Sequence, residues 1–221
     1  MQKFDTPAAI AAVVDIAAGR IQVIAADRAD TVVEVAPADP AKGRDVKAAE
    51  QTVVDFTDGV LHIRTAGSGN RYFGSTGALE VTVRLPAGSR VEAHTESCEL
   101  RGVGRLGDVV FEGAYRQIKL DEAAAVRLTA IDGDVEIGRL GGPAQITTAR
   151  GAIRIGEAVR GAVVLRTEMG DISVGAAPGV SASLDAGTGH GRVGNALKND
   201  GAIALDIRAT TGHGDIVARS L

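Results

Sequence analysis

Aromatic side chains are scarce: they make up 3% of the 221 residues, and tryptophan is absent. This excludes a stacking platform for single-stranded nucleic acid, which needs flat side chains beneath the bases. A basic excess is missing too, with 24 Lys and Arg against 28 Asp and Glu and a formal net charge of −4. There is thus no electrostatic footprint for nucleic acid. Charges alternate along strand-like runs instead of forming blocks, the pattern of a solvated face. The single cysteine, Cys98, allows no intrachain disulfide. No apolar run approaches the length of a membrane-spanning helix, and the stretch from Ala8 to Ile16 is short and broken by Asp15. Met1-Gln2-Lys3-Phe4-Asp5-Thr6-Pro7 lacks a signal-peptide pattern. The expectation is a cytoplasmic chain with neither nucleic acid nor membrane as partner.

What the chain does have is apolar content, 45%, and repetition. One phrase recurs: Asp132-Gly133-Asp134-Val135-Glu136-Ile137, Arg150-Gly151-Ala152-Ile153-Arg154-Ile155, Met169-Gly170-Asp171-Ile172-Ser173-Val174, His190-Gly191-Arg192-Val193 and His213-Gly214-Asp215-Ile216-Val217. The first apolar residue after each glycine serves as a register mark. Degenerate copies place Leu100 and Ile118 in the same register, and the intervals run 18, 17, 18, 19, 21 and 23 residues. A near-constant interval is the signature of stacked repeats. Each repeat holds two short alternating runs, such as Val126-Arg127-Leu128 and Val135-Glu136-Ile137, which is strand periodicity. The glycine column predicts turns of positive φ, where a Cβ is costly. Five residues before the marks stand Thr95, Thr148, Thr167, Thr188 and Thr211, a ladder able to satisfy turn hydrogen bonds.

Such a unit cannot stand alone. Ordering its backbone costs roughly 1–2 kcal/mol per residue, and its few apolar side chains return about 1.5–3 kcal/mol each. Stacking solves this by sharing one core between neighbours. The expected fold is all-β, a right-handed parallel β-helix (solenoid) of about 18-residue coils with an N-terminal strand-rich cap. The expected division is 1–90 for the cap and first coils and 91–221 for the helix, continuous as one domain. In the cap, Thr57-Asp58-Gly59 signals a hairpin between Val53–Phe56 and Val60–Arg64. Residues 37–49 read as a loop with a short helical turn. Gly19-Arg20-Ile21-Gln22-Val23 echoes the repeat, as an early coil or a capping strand. Residues 67–77 hold four glycines around Arg71-Tyr72-Phe73 and read as a mobile surface loop.

Leu85-Pro86-Ala87-Gly88-Ser89 followed by repeated Gly-Asp-Ile-x-Val phrases resembles the bacterial "putative adhesin" domain of unknown function, a β-strand-repeat family. The resemblance covers nearly the whole chain and implies a right-handed parallel β-helix. It rests on structural glycines and apolar positions, and it implies no chemistry.

The candidate chemistry lies on the turns. In register, His190 and His213 stand one repeat apart, about 5 Å at Cα. Asp171, Arg192 and Asp215 share a neighbouring column, with Glu168 nearby. Imidazoles and carboxylates so placed can act as an acid–base pair or bind a metal. The alternative is a row of solvated turn residues. Two histidines fall short of a zinc set, so neither metal nor cofactor is assigned. The whole column Ser97, Tyr115, Asp132, Arg150, Met169, His190, His213 is too varied for a core. It is either a ligand strip or an irregular solvent edge. Tyr72 and Phe73 either grip a ligand or fold back on the cap. His94 and Cys98 invite a nucleophile–base reading, but an extended strand would separate them by roughly 13 Å, and a buried Cys98 is the default.

The leading expectation is a non-catalytic scaffold or binding module for a protein or small-molecule ligand. Its candidate contacts are Tyr72, Phe73, Tyr115, Arg150 and Glu168. The rival is a cofactor-independent or metal-assisted lyase, cyclase or hydrolase using His190, His213, Asp215, Asp171 and Arg192 with the 67–77 loop. The exposed end of a parallel sheet invites self-association, so a homo-oligomer is one expected state.

Overall fold

The computed structural model describes residues 1–65, 77–113 and 117–221. The chain is all-β, with one long, mostly parallel 17-stranded sheet and a single short helix among these residues. The strands are β1 (Gln2–Asp5), β2 (Ala11–Ala26), β3 (Asp30–Pro37), β4 (Thr52–Thr57), β5 (Val60–Thr65), β6 (Ala78–Pro86), β7 (Arg90–Gly113), β8 (Ile118–Asp132) and β9 (Val135–Leu140). They continue as β10 (Ala144–Arg150), β11 (Ile153–Ala158), β12 (Gly161–Met169), β13 (Ile172–Ala176), β14 (Ala182–His190), β15 (Val193–Ala196), β16 (Leu205–His213) and β17 (Ile216–Ser220). The helix α1 spans Gly43–Glu50, where the expectation for residues 37–49 is a loop with a short helical turn.

The strands form two parallel ladders. One runs β8–β10–β12–β16–β14 and the other β8–β9–β11–β13–β17–β15. Toward the N-terminus both ladders continue through β7 into β2, then divide onto β5 and β6. Ile21 pairs with Leu100, so the Gly19 echo is a true early repeat. The outermost N-terminal strands are antiparallel: β4 on β5, β3 on β6 and β1 on β3. Asp58 and Gly59 both have positive φ, +52° and +78°, as the two-residue hairpin requires. Helix α1 packs on β3 and β6, and its buried Asp45 accepts the Ala78 N–H at 3.0 Å. No helix among the described residues is long and apolar enough to cross a membrane.

Alternation along the strands sends Val, Ile, Leu and Ala into one continuous core. The marks stack as expected from Leu100 through Ile118, Val135 and Ile153 to Ile172. Beyond Ile172 the order departs from chain order. Ile172 pairs with Ile216, and Ile216 pairs with Val193. The pair β16–β17 is therefore interposed between β12–β13 and β14–β15. The expected adjacency of Ile172 and Val193 is overturned, and Val193 is 46% exposed. Burial supplies the reason. The inward residues of β16–β17, Leu205, Ile207, Ala209, Ile216 and Ala218, are all buried, and each lies between two neighbours. The outermost pair offers Ala182, Leu184, Ala186, Val193 and Asn195 in the same columns. Placing the larger apolar set inside and the smaller, more polar set at the open end removes more apolar surface from water.

Candidate functional site

The turn columns are built by two constraints acting together. Gly133, Gly151, Gly170, Gly214 and Gly191 have φ of +128°, +134°, +153°, +149° and +153°. A Cβ on any of the last four would also lie 2.0–2.2 Å from the carbonyl oxygen of the glycine beneath. Conformation and close approach both demand glycine here. The threonine ladder does what its position suggested at Thr148, Thr167, Thr188 and Thr211, but not at Thr95, whose buried hydroxyl has no hydrogen-bond partner among the described residues. Thr167, Thr211 and Thr188 donate to the carbonyls of Gly151, Gly170 and Gly214 at 3.1, 2.9 and 2.9 Å.

His190 and His213 are brought together. Their rings stack at 4.6 Å between centroids with 2° between planes, and both are exposed. The column reads Asp132, Arg150, Met169, His213, His190 in space. Arg150 is engaged with Asp132 at 3.0 Å. Tyr115, Tyr72 and Phe73 lie outside the described residues. Glu168 is exposed, and its carbonyl lies against Gly212 of the neighbouring strand.

The carboxylates beside the histidines already have partners. Asp171 Oδ1 accepts the N–H of Asp215 at 2.8 Å, and Asp215 Oδ1 accepts the N–H of Arg192 at 2.8 Å. Asp134 does the same for Ala152 at 2.8 Å. The Gly-Asp pair thus recurs because each carboxylate ties its turn to the next. Among the described residues, no three His, Cys, Asp or Glu side chains lie close enough together to hold a metal ion. Asp171→Ala removes an acceptor from a backbone N–H at the turn. We expect a loss of about 1 kcal/mol of stability, read from the urea midpoint; an unchanged midpoint would assign the bond no weight.

His94 and Cys98 diverge. Cys98 is buried in the core, whereas His94 lies on the outer face between Glu92 (Nε2 to Oε1, 3.1 Å) and Glu112 (Nδ1 to Oε2, 3.4 Å). The hydrogen bond from His94, assisted by Arg90, holds the Glu92 carboxyl below its ordinary value.

That outer face carries a feature missed by the sequence reading. A groove of about 620 Å³ runs past Arg90, Glu92, His94, Val110, Arg127 and Gln145. A second, of about 970 Å³, follows the corner from Gly88 past Arg105 and Glu122 to Arg160 and Ala204. The two share Asp108, Ala125 and Pro143, so they form one continuous depression. Its depth comes from small residues, including Ala124, Ala125, Gly142, Gly161 and Ala162. Most of the arginines on the strands are ion-paired, as Arg101 is with Asp121 at 2.7 Å. Among the described residues, Arg105, Arg127 and Arg160 have no ion-pair partner within 4.0 Å. Residue pairing places Arg105 beside Glu122, Glu122 beside Arg139 and Arg139 beside Glu157. Arg105 and Glu157 are thus about three strand spacings apart, roughly 14 Å, and Arg160 follows Glu157 just past the end of β11.

No protein-family model matches the chain, and no curated protein matches it. Solved structures similar to it include a "putative cell adhesion protein" from Clostridium sporogenes, with 10% identity, coverage of 100% of this chain and 98% of the other, and a TM-score of 0.44. A "putative adhesin" from Bacteroides fragilis is similar at 12% identity, 98% and 95% coverage and a TM-score of 0.46. One from Parabacteroides distasonis has 13% identity, 98% and 95% coverage and a TM-score of 0.37. Likeness at this level assigns the chain no function.

Proposed function

We propose that the chain is a non-catalytic binding module built on a right-handed parallel β-helix, one domain with residues 1–90 as its cap and first coils. Two ladders with the same spatial order, joined by tight turns at each glycine column, support this winding. The ligand surface is the depression that runs from the outer face around the corner. The observation that carries the reading is the trio of unpaired guanidiniums, Arg105, Arg127 and Arg160, set around a floor of small residues. A guanidinium offers a planar fork of donors that matches carboxylate oxygens. Glu92 and Glu122 already face arginines, Glu112 meets only the His94 ring, and Asp108 has no ion pair among the described residues, so three free guanidiniums stand against two carboxylates. The balance favours an extended ligand carrying carboxylates.

Calorimetric titration with a glutamate-rich peptide tests this. Saturable binding is expected, weakened about tenfold or more in Arg105→Ala and Arg127→Ala, because a charge-assisted hydrogen bond contributes about 1.5–3 kcal/mol. A lysine-rich peptide binding equally well would overturn the reading. His190→Ala and His213→Ala should leave binding unchanged. A small-molecule turnover that disappears in either histidine variant would favour the rival, an enzyme working at the turn edge.

A further inference from the structure

The interposed strand pair has a consequence independent of the depression. Strands β14 and β15 pair only with β16 and β17 among the described residues. The outermost pair is therefore tied to the sheet through a segment that follows it in the chain. The connectors mark the detour. Neighbouring pairs stacked in chain order are joined by residues 141–143 and 159–160, whereas 177–181 leads out to β14 and 197–204 leads back to β16. The returning connector is largely exposed. In the closed fold β16–β17 fills a gap one strand wide between β12–β13 and β14–β15.

We propose that β16–β17 is an exchangeable insert, and that the partner this gap fits is a second copy of this chain. The gap has one demonstrated occupant, residues 205–220, and every copy supplies it. The match is made by columns on both sides. Thr211 sits between Thr167 and Thr188, Gly214 between Gly170 and Gly191, and Ile207 between Val163 and Leu184. Backbone hydrogen bonds close both flanks: Gly170 N–H donates to His213 O and Gly214 N–H donates to His190 O, each at 2.9 Å. An incoming copy of β16–β17 makes the same bonds and buries the same side chains as the chain's own. Only the connector, by holding its own insert at high local concentration, favours the closed monomer. Exchange of an identical element is a low-cost route to a dimer, and here it becomes competitive whenever chains fold together at high concentration.

Ser183 and Asp206 are register partners on β14 and β16, with Oγ and Oδ1 2.9 Å apart. Full-length Ser183→Cys and Asp206→Cys chains are unfolded, mixed and refolded together, then oxidised. A disulfide joining position 183 of one chain to 206 of the other is expected, with a yield that rises with protein concentration during refolding. A double variant locked internally through the same two positions before mixing is expected to give none. A 183–206 yield no greater than the 183–183 and 206–206 yields added together, which is what random pairing of equal amounts gives, would reflect unspecific surface thiols and overturn the proposal. Should the cysteine chains fail to refold, the unmodified chain decides. Refolded at high concentration, it is expected to give a dimer by light scattering that persists on dilution until unfolded. No dimer, or one that separates at once on dilution, would overturn the exchange.

Discussion

Ile207→Ala is expected to cost about 2–5 kcal/mol, the range for a large buried aliphatic side chain truncated to alanine. Leu184→Ala should cost clearly less. The two residues share a column, but Ile207 is fully buried between Val163 and Leu184, while Leu184 is partly exposed on the outermost strand. In a stacked-repeat fold the loss can be local, so peptide-resolved hydrogen exchange is the informative measurement. Ile207→Ala should lower protection in both 205–220 and 182–196, because the outer pair hangs on the inner one. Leu184→Ala should lower it only in 182–196. Stacking in chain order demands the reverse: Leu184 would be enclosed, and its loss would release both segments. Deprotection of 205–220 by Leu184→Ala would therefore sink the interposed arrangement, and with it the basis for strand exchange.

Gly214→Ala should be comparably damaging, by about 2–5 kcal/mol, through two mechanisms acting at one position. The backbone at φ +149° is one that a side chain rarely adopts, and the new Cβ would stand 2.2 Å from the Gly170 carbonyl oxygen. That atom is backbone, and it also accepts the Thr211 hydroxyl at 2.9 Å. Relief requires the turn to lift, which strains the flanking hydrogen bonds to His190 and from Gly170. Gly187→Ala is the control. No atom lies within 4 Å of its Cβ position and its φ is not positive, so the change should stay within about 0.5 kcal/mol. Urea denaturation of both variants checks the contrast. Similar midpoints would mean that the glycine column is only a habit of the sequence.

The glycine and threonine columns were legible because their causes are local. A positive φ, a Cβ with no room and a hydroxyl facing a carbonyl act at fixed offsets from Ile153, Ile172 and Ile216, and so leave a periodic trace. The Asp58-Gly59 hairpin was legible for the same reason. The histidine pair was legible as an adjacency. The partners of Asp171 and Asp215 were not, because a backbone N–H on the next turn leaves no mark in composition. His94 was grouped with Cys98 from their closeness in the chain. An unbroken pleat would put residues four apart on one face, but the inward phase of β7 shifts from Val91 and Ala93 to Cys98 and Leu100, which leaves His94 outside against Glu92 and Glu112. The depression was invisible because Arg105, Arg127 and Arg160 come from separate repeats, and its depth depends on Ala125, Pro143 and Ala162 lining up across them.

The sequence alone determined the repeat, its register and the positions that must be glycine, since these follow from steric limits on single residues and from strand alternation. Tertiary structure decided which repeat lies next to which. Ile172 is met as well by Val193 as by Ile216 in every column, so local rules leave the order open. The choice falls to exposure at the open end, where water meets Val193 and Asn195 while Leu205, Ile207 and Ile216 are enclosed.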